Sequence, residues 1–257
     1  MKSNDKIFIN PLHEVFTGKE AEEKIKETND QQFLTNDGVL SVPIERWATA
    51  QQFEEGYWLN VAVNAKEDRN YDHMNRFNNY EVLKGKKFNS VIEIGCGPFS
   101  LNSKLIFQKI ETDNINNLTL LDPLIYKYTT HPNCGYKNDN VKLINSSIEE
   151  FETNEIYDLV IMINVIEHCF DFNKVFEVIN NILQKKGVFV FSEATVKSDH
   201  MSNISNNFYD AGHPLRITDK FLEGFIEEKY SILYKKVFDN LYDQDWRRDF
   251  YYILVKE

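Results

Sequence analysis

From residue 90 onward the chain alternates short, β-branched apolar runs with helix-patterned segments, and this alternation restricts the fold more than any other feature. The runs are Val91-Ile92-Glu93-Ile94, Leu118 to Asp122, Val141 to Ile144, Leu159 to Ile163 and Gly187 to Phe191. Runs that stay apolar at successive positions predict strands buried on both faces, the condition of a parallel sheet covered by helices. Between the last two, Phe172, Val175, Phe176, Ile179 and Leu183 recur at helical spacing, and Asp171 is placed to cap that helix. Strands joined by right-handed helical crossovers make a doubly wound α/β sheet. The end of the chain differs. Thr218 is expected to cap a helix through Phe221, Leu222, Phe225 and Ile226, followed by strand-like stretches Tyr230 to Val237 and Phe250 to Val255. The polar loop through Trp246-Arg247-Arg248 leaves no room for a helix between them, so they are predicted to pair antiparallel. The expectation is seven strands closed by an antiparallel C-terminal hairpin.

Ahead of this region the chain is polar and mixed to about residue 40, with a breaker at Asn36-Asp37-Gly38. Pro43 suits a first helical position, and Trp47, Ala50, Gln51, Phe53, Glu54, Tyr57 and Trp58 follow at near-helical spacing. Two tryptophans on one short helix bury aromatic area against a neighbour. Either the helix is a packing layer, or it is a lid in which Gln51 or Trp58 touches a ligand. Residues 1–84 are therefore read as a helical N-terminal accessory or lid region, and residues 85–257 as the core domain.

In Val91-Ile92-Glu93-Ile94-Gly95-Cys96-Gly97-Pro98-Phe99-Ser100 a buried strand opens into a glycine loop, with a helix expected near Ser100. Glycine lets the backbone turn sharply and lets a ligand approach without a Cβ in the way. Many tight strand–helix turns contain one such pair, so its acidic companions matter more. Glu93 lies inside an apolar strand end, where an unpaired carboxylate is costly. Asp122 ends the second strand. In this topology both are expected to flank the crevice where the strand order reverses, and Asp122 can accept both hydroxyls of a ribose.

Over roughly residues 85–257 the chain resembles class I S-adenosylmethionine-dependent methyltransferases, which implies a Rossmann-like sheet and S-adenosylmethionine as cofactor. The first motif of that family matches Glu93, Gly95 and Gly97, with Cys96 between the glycines as a further implied cofactor contact, but Phe99 stands where a third glycine is common, so that either the loop is less tightly curled or Phe99 walls the pocket. The second matches Leu121-Asp122-Pro123-Leu124, implying that Asp122 binds the ribose beside Pro123. The third matches Asn145 to Glu150. Relatives often hold the adenine amino group with an acidic residue near the position of Ser147, and its absence implies a backbone contact at Ile148 or Glu149. The fourth, Tyr157 to His168, resembles the strand ending in Asn-x-x-Glu-His that is frequent in small-molecule methyltransferases, and it implies Asn164 and Val165 as cofactor contacts. The fifth, Leu183 to Val188, resembles the turn before the fifth strand. The segment Glu45 to Trp58 is also similar to helices preceding the core in methyltransferases of bacterial surface-glycan gene clusters, which implies a role in capsular polysaccharide synthesis.

A sulfonium methyl is already electrophilic, so such a protein mainly aligns donor and acceptor. A general base is needed only where the acceptor must lose a proton. His168, after the fourth strand, is expected beside the sulfonium, either as that base or as a group shaping the cofactor loop. His213 lies in the stretch Asn207 to Arg216 after the fifth strand. There Tyr209, His213 and Arg216 would suit a hydroxylated or anionic acceptor, with Arg216 as a phosphate clamp, loop packing being the alternative for each. Trp58 is the substrate contact expected from the accessory helix. His131-Pro132-Asn133-Cys134 has no further ligands at metal spacing, so no metal site is expected.

Lys and Arg number 29 against 40 Asp and Glu, a net charge of −11. That field repels phosphate backbones and anionic membranes. The fourth strand is followed by no Asp/Asn-Pro-Pro-aromatic sequence, and no Pro-Cys nucleophile is present, so no nucleic-acid partner is expected. Three cysteines without a CxxC pair suit reduced thiols. The first residues carry no apolar signal core, and the longest apolar runs are far short of the ~18 residues that cross a bilayer. A cytoplasmic protein is expected, its oligomeric state open. The leading reading is methyl transfer to an oxygen of a small metabolite or glycan precursor. A phosphate- or phosphoramidate-bearing capsule precursor and a nucleotide-activated sugar both fit, and nitrogen transfer is admissible. One alternative is NAD-dependent oxidoreduction, because Gly95-Cys96-Gly97 also begins the dinucleotide fingerprint, although Ser100 occupies its next glycine position and Glu93 is foreign to it. Another is a catalytically idle S-adenosylmethionine-binding partner protein.

Overall fold

A computed structural model describes residues 7–9, 15–17, 34–62, 68–110, 117–137, 140–203 and 212–257. Its central feature is a seven-stranded sheet: β1 (Ser90–Ile94), β2 (Asn117–Leu121), β3 (Lys142–Ile144), β4 (Tyr157–Ile163), β5 (Leu183–Val196), β6 (Tyr230–Asp239) and β7 (Arg247–Lys256). The spatial order is β6-β7-β5-β4-β1-β2-β3. β1 to β5 run parallel, and β7 lies antiparallel between β5 and β6. This is the doubly wound, Rossmann-like sheet with the terminal hairpin that the sequence pattern predicts. β5 is longer than the run Gly187 to Phe191 because it is laddered on both sides, to β4 and, as far as Val196, to β7. Ser192 and Glu193 interrupt its apolar pattern without ending the strand.

The helices are α1 (Ile44–Tyr57, continued by a π-turn at Trp58–Ala62), α2 (Arg69–Phe77), α3 (Asn102–Lys109), α4 (Ile125–Thr130), α5 (Phe172–Ile182) and α6 (Asp219–Lys229). The predicted caps are present. Asp171 accepts from the Lys174 N–H at 3.0 Å, and the Thr218 hydroxyl from the Phe221 N–H at 3.4 Å. Pro43 sits one residue before α1 rather than as its first residue.

The two faces of the sheet carry separate cores. Phe172 and Phe176 of α5 and Leu222 and Ile226 of α6 cover one face with Phe189, Phe191, Phe250 and Tyr252. Met74 and Phe77 of α2 and Leu105 and Ile106 of α3 cover the other with Leu159, Ile161, Tyr251 and Ile253. β7 shows the cause in miniature, since its residues alternate between the two clusters with the two-residue period of a strand. Packing is continuous across residues 84 and 85: the Phe77 ring meets Tyr251 edge-on at 4.9 Å. Farther upstream, a hairpin of Leu34–Thr35 and Gly38–Val39 pairs with Arg216–Ile217. That ladder and the bonds Val42 N–H to Phe170 O and Phe172 N–H to Leu40 O bring α1 to the carboxyl ends of β4 and β5. Among the described residues, no helix is long and apolar enough to cross a membrane.

Candidate active site

The carboxyl ends of β1, β2 and β4, the segment Ser146 to Glu149 after β3, and α1 enclose a cavity of about 710 Å³. Its floor is the glycine loop. Gly95 has φ +65°, and a Cβ there would lie 2.4 Å from the Val165 side chain, so both backbone angle and space demand glycine. Gly97 has φ +58°, and its N–H donates to Asp122 Oδ2 at 3.1 Å. Asp122 Oδ1 accepts from the Leu124 N–H at 2.8 Å. The carboxylate is therefore fixed between two loops on the cavity wall. Burial, only partly offset by those two N–H donors, pushes its pKa up to about 6.

Cys96, Phe99, Pro123, Ser147, Ile148, Asn164 and Val165 also line the cavity. Phe99 meets Trp58 edge-on at 5.5 Å, so the residue in place of a third glycine builds a wall with the accessory helix. Glu149 lines it too. Its Oε1 accepts from the N–H groups of Phe170 (2.6 Å) and Asp171 (3.2 Å), while its buried Oε2 has no hydrogen-bond partner among the described residues. Burial raises this carboxyl as well. An acceptor left open at this depth suits a ligand amino group.

Around the cavity, four buried carboxylates, Asp122 and Glu149 among them, fasten loops through backbone donors. Besides Asp122, Glu93 accepts from Asn102 N–H and Nδ2 (2.9 and 3.1 Å) and from Ser103 N–H and Oγ (2.9 and 2.7 Å). Glu193, in β5, accepts from Val165 N–H (3.1 Å) and Ile166 N–H (2.7 Å). Two corrections follow. Glu93 does not line the cavity: the strand's two-residue alternation turns it toward the start of α3, where four donors hold it. Arg216 is no phosphate clamp, because it is buried against Glu167 Oε2 at 2.7 Å, the pairing that a buried guanidinium requires. Tyr209 lies outside the described residues.

The far end of the cavity is built from side chains. His213 Nε2 lies 3.4 Å and His168 Nε2 3.9 Å from Glu167 Oε1, and the two imidazoles are 4.6 Å apart. Glu167 Oε1 also accepts from Asn164 Nδ2 at 3.1 Å. Although burial opposes its ionisation, His213, Arg216 and His168 hold the Glu167 carboxyl below the ordinary range. Burial and the neighbouring Glu167 push Glu193 the other way. α1 closes this end: Trp47 Nε1 and Gln51 Nε2 donate to the His168 carbonyl at 3.0 and 3.3 Å, and Glu54 Oε2 accepts from Trp58 Nε1 at 2.7 Å. Gln51 and Trp58 both line the cavity. Arg69, His73, Tyr128 and Arg247 line it without having been singled out in the sequence. Arg69 stacks on Tyr57 and Trp58 at 5.4 and 5.3 Å, and Arg247 pairs with Asp249 at 2.6 Å.

Residues 133–253 match the family model described as a methyltransferase domain. That stretch, just under half of the chain, is similar to a methyltransferase domain. The cofactor of such a domain is S-adenosylmethionine. Solved structures share the domain's fold. The N-methyltransferase NodS from Bradyrhizobium japonicum WM9, in complex with S-adenosyl-L-homocysteine, aligns with a TM-score of 0.50 and 13% identity over 82% of this chain and 99% of NodS. The plantazolicin methyltransferase BpumL, in complex with a monoazolic desmethylPZN analog and S-adenosylhomocysteine, aligns at 0.53 and 12% over 83% of this chain and 97% of BpumL. Coclaurine N-methyltransferase, bound to N-methylheliamine and S-adenosylhomocysteine, aligns at 0.50 and 12% over 83% and 88%. No curated protein matches the chain.

Proposed function

We propose that this methyltransferase domain methylates an oxygen of a small, anionic acceptor, a sugar- or phosphate-bearing precursor of a surface glycan, in the cytoplasm. The carrying observation is that one cavity joins the Gly97–Asp122 wall to the Glu167, His168 and His213 cluster. Gly95, Cys96, Gly97, Asp122, Pro123, Ser147, Ile148, Glu149, Asn164 and Val165 hold the cofactor in this reading. Asp122 accepts from the ribose hydroxyls and Glu149 Oε2 from the adenine amino group. The bound cofactor supplies a methyl group on a positively charged sulfur. The lining carboxylates of Glu54, Asp122 and Glu167 favour that charge.

Residues 1–84 act as the accessory region whose helix α1 roofs the acceptor. Trp58 and Phe99 fix its position, and Arg69 and Arg247 attract its negative charge. The acceptor hydroxyl meets the protein at His168 and His213, where its proton is lost. A second reading, nitrogen transfer, draws on the acidic lining near the imidazoles, which would gather an amine, and on the N-methyltransferases that share the fold.

Calorimetric titration with S-adenosylhomocysteine tests the donor half. Labelled-methyl transfer to panels of nucleotide-activated sugars, phosphorylated metabolites and amines tests the acceptor. Transfer to amines alone overturns the oxygen reading, and no turnover on any panel supports a catalytically idle binding protein.

A further inference from the structure

We propose that Glu167, His168 and His213 bind one divalent transition-metal ion, such as Mn²⁺ or Zn²⁺, at the acceptor end of the cavity. The proposal deepens the function just given and rests on it for the identity of the neighbouring donor site. Each of the three residues offers one ligand atom, and these atoms all lie within 4.8 Å of one another. The two measured edges, 3.4 Å from His213 Nε2 and 3.9 Å from His168 Nε2 to Glu167 Oε1, leave room for one ion close to the about 2.0–2.2 Å bonds of zinc-type centres. Two imidazoles and a carboxylate suit first-row transition ions better than Mg²⁺ or Ca²⁺, and three protein ligands leave positions for substrate oxygen.

The surroundings have the form expected around metal ligands. His168 Nδ1 meets the Gly212 carbonyl at 3.0 Å, which places its proton on Nδ1 and directs the Nε2 lone pair toward Glu167. Arg216 on Oε2 and Asn164 on Oε1 hold the carboxylate in one orientation. His168 is further fixed through its carbonyl by Trp47 and Gln51 of α1. Glu54 Oε1, 3.7 Å from His168 Nδ1, adds negative charge beside the cluster. A pure ion-pair network would satisfy Glu167 through Arg216 alone, whereas here two imidazoles converge on its other oxygen in a ligand-sized cavity.

The ion changes how the acceptor is activated. A hydroxyl bound to it loses its proton near neutral pH, the proton passing to solvent. The resulting oxygen lone pair forms the new O–CH₃ bond as the CH₃–S bond breaks, and that bond's electron pair returns to sulfur, which becomes a neutral thioether. The histidines then act as ligands rather than as the proton acceptor.

The test is calorimetric titration of the chelator-treated full chain with MnCl₂ and, separately, ZnCl₂. S-adenosylhomocysteine affinity is measured on the same samples. One saturable site per chain is expected, weakened at least tenfold in His213→Gln and Glu167→Gln, and unchanged in His131→Gln, which removes the histidine of the HxxC pair. His213→Gln should keep S-adenosylhomocysteine affinity within twofold, showing that it is folded. Absence of a saturable site, undiminished affinity in His213→Gln, or loss of binding in His131→Gln overturns the metal site. Failure of wild-type chain to bind S-adenosylhomocysteine overturns the methyl-donor reading instead, and the metal titration is judged apart from it.

Discussion

The two ends of the cavity are built by different rules. At the donor end, the carboxylates of Asp122 and, behind it, Glu93 are held mainly by backbone N–H groups of nearby loops. At the acceptor end, Glu167, His168, His213, Arg216 and Glu54 face one another side chain to side chain, brought together from three separate stretches of chain. Backbone donors are supplied by any residue with the right turn, so the donor end tolerates sequence change around a few fixed positions. A side-chain cluster depends on each member's identity. In the proposed function, the donor end is the cofactor seat and the acceptor end sets specificity.

The sharpest way to break this contrast is Glu93→Ala. It leaves four buried donors without their acceptor and should cost more than about 3 kcal/mol of stability by urea unfolding, at about 1–3 kcal/mol for each stranded group. A near-native midpoint would show that backbone stapling does not hold the donor end. Next in size, His213→Ala should lower turnover by about 10²-fold, the scale of lost help in removing the acceptor proton, with S-adenosylhomocysteine affinity unchanged. A normal rate would return His213 to loop packing. Asp122→Ala should do the reverse, weakening S-adenosylhomocysteine by about 1–3 kcal/mol while leaving acceptor KM near its original value. An unchanged Kd would remove Asp122 from the ribose site.

The smallest effect sharpens the same point through pH. With its folded pKa raised from 3.8 to about 6, Asp122 holds its proton more tightly in the folded chain than in the unfolded one. Its contribution to stability therefore falls as pH rises through that window. Cofactor affinity should move the opposite way, strengthening from pH 5 to 7 as the carboxylate ionises to accept the ribose hydroxyls. Asp122→Asn should abolish that slope in calorimetric Kd values, and a persistent slope would assign it to another group.

Much of the fold was legible because strand and helix periods are local. The runs at β1, β2 and β4, the caps Asp171 and Thr218, and the antiparallel hairpin all follow from residues a few positions apart. The glycine loop and Asp122 were legible for the same reason. Glu93 was misjudged as a cavity residue because an acidic side chain in a buried strand announces only that it has a partner, not which face it serves. Glu193 carried the same signal, an acid inside an apolar run, and could have been found by it. Arg216 was misjudged because nothing local reveals that a guanidinium is enclosed by Glu167.

The order and type of the elements and the closing hairpin were determined by the sequence itself, since each depends on periodicity and turn length among neighbours in the chain. Only tertiary structure decided that His213 joins Glu167 and His168, that Arg216 is enclosed, and that α1 roofs the cavity through the carbonyl of His168. Those contacts span from 45 to more than 100 positions of chain, and no local periodicity encodes which distant side chains the sheet's crossovers will carry to the same edge.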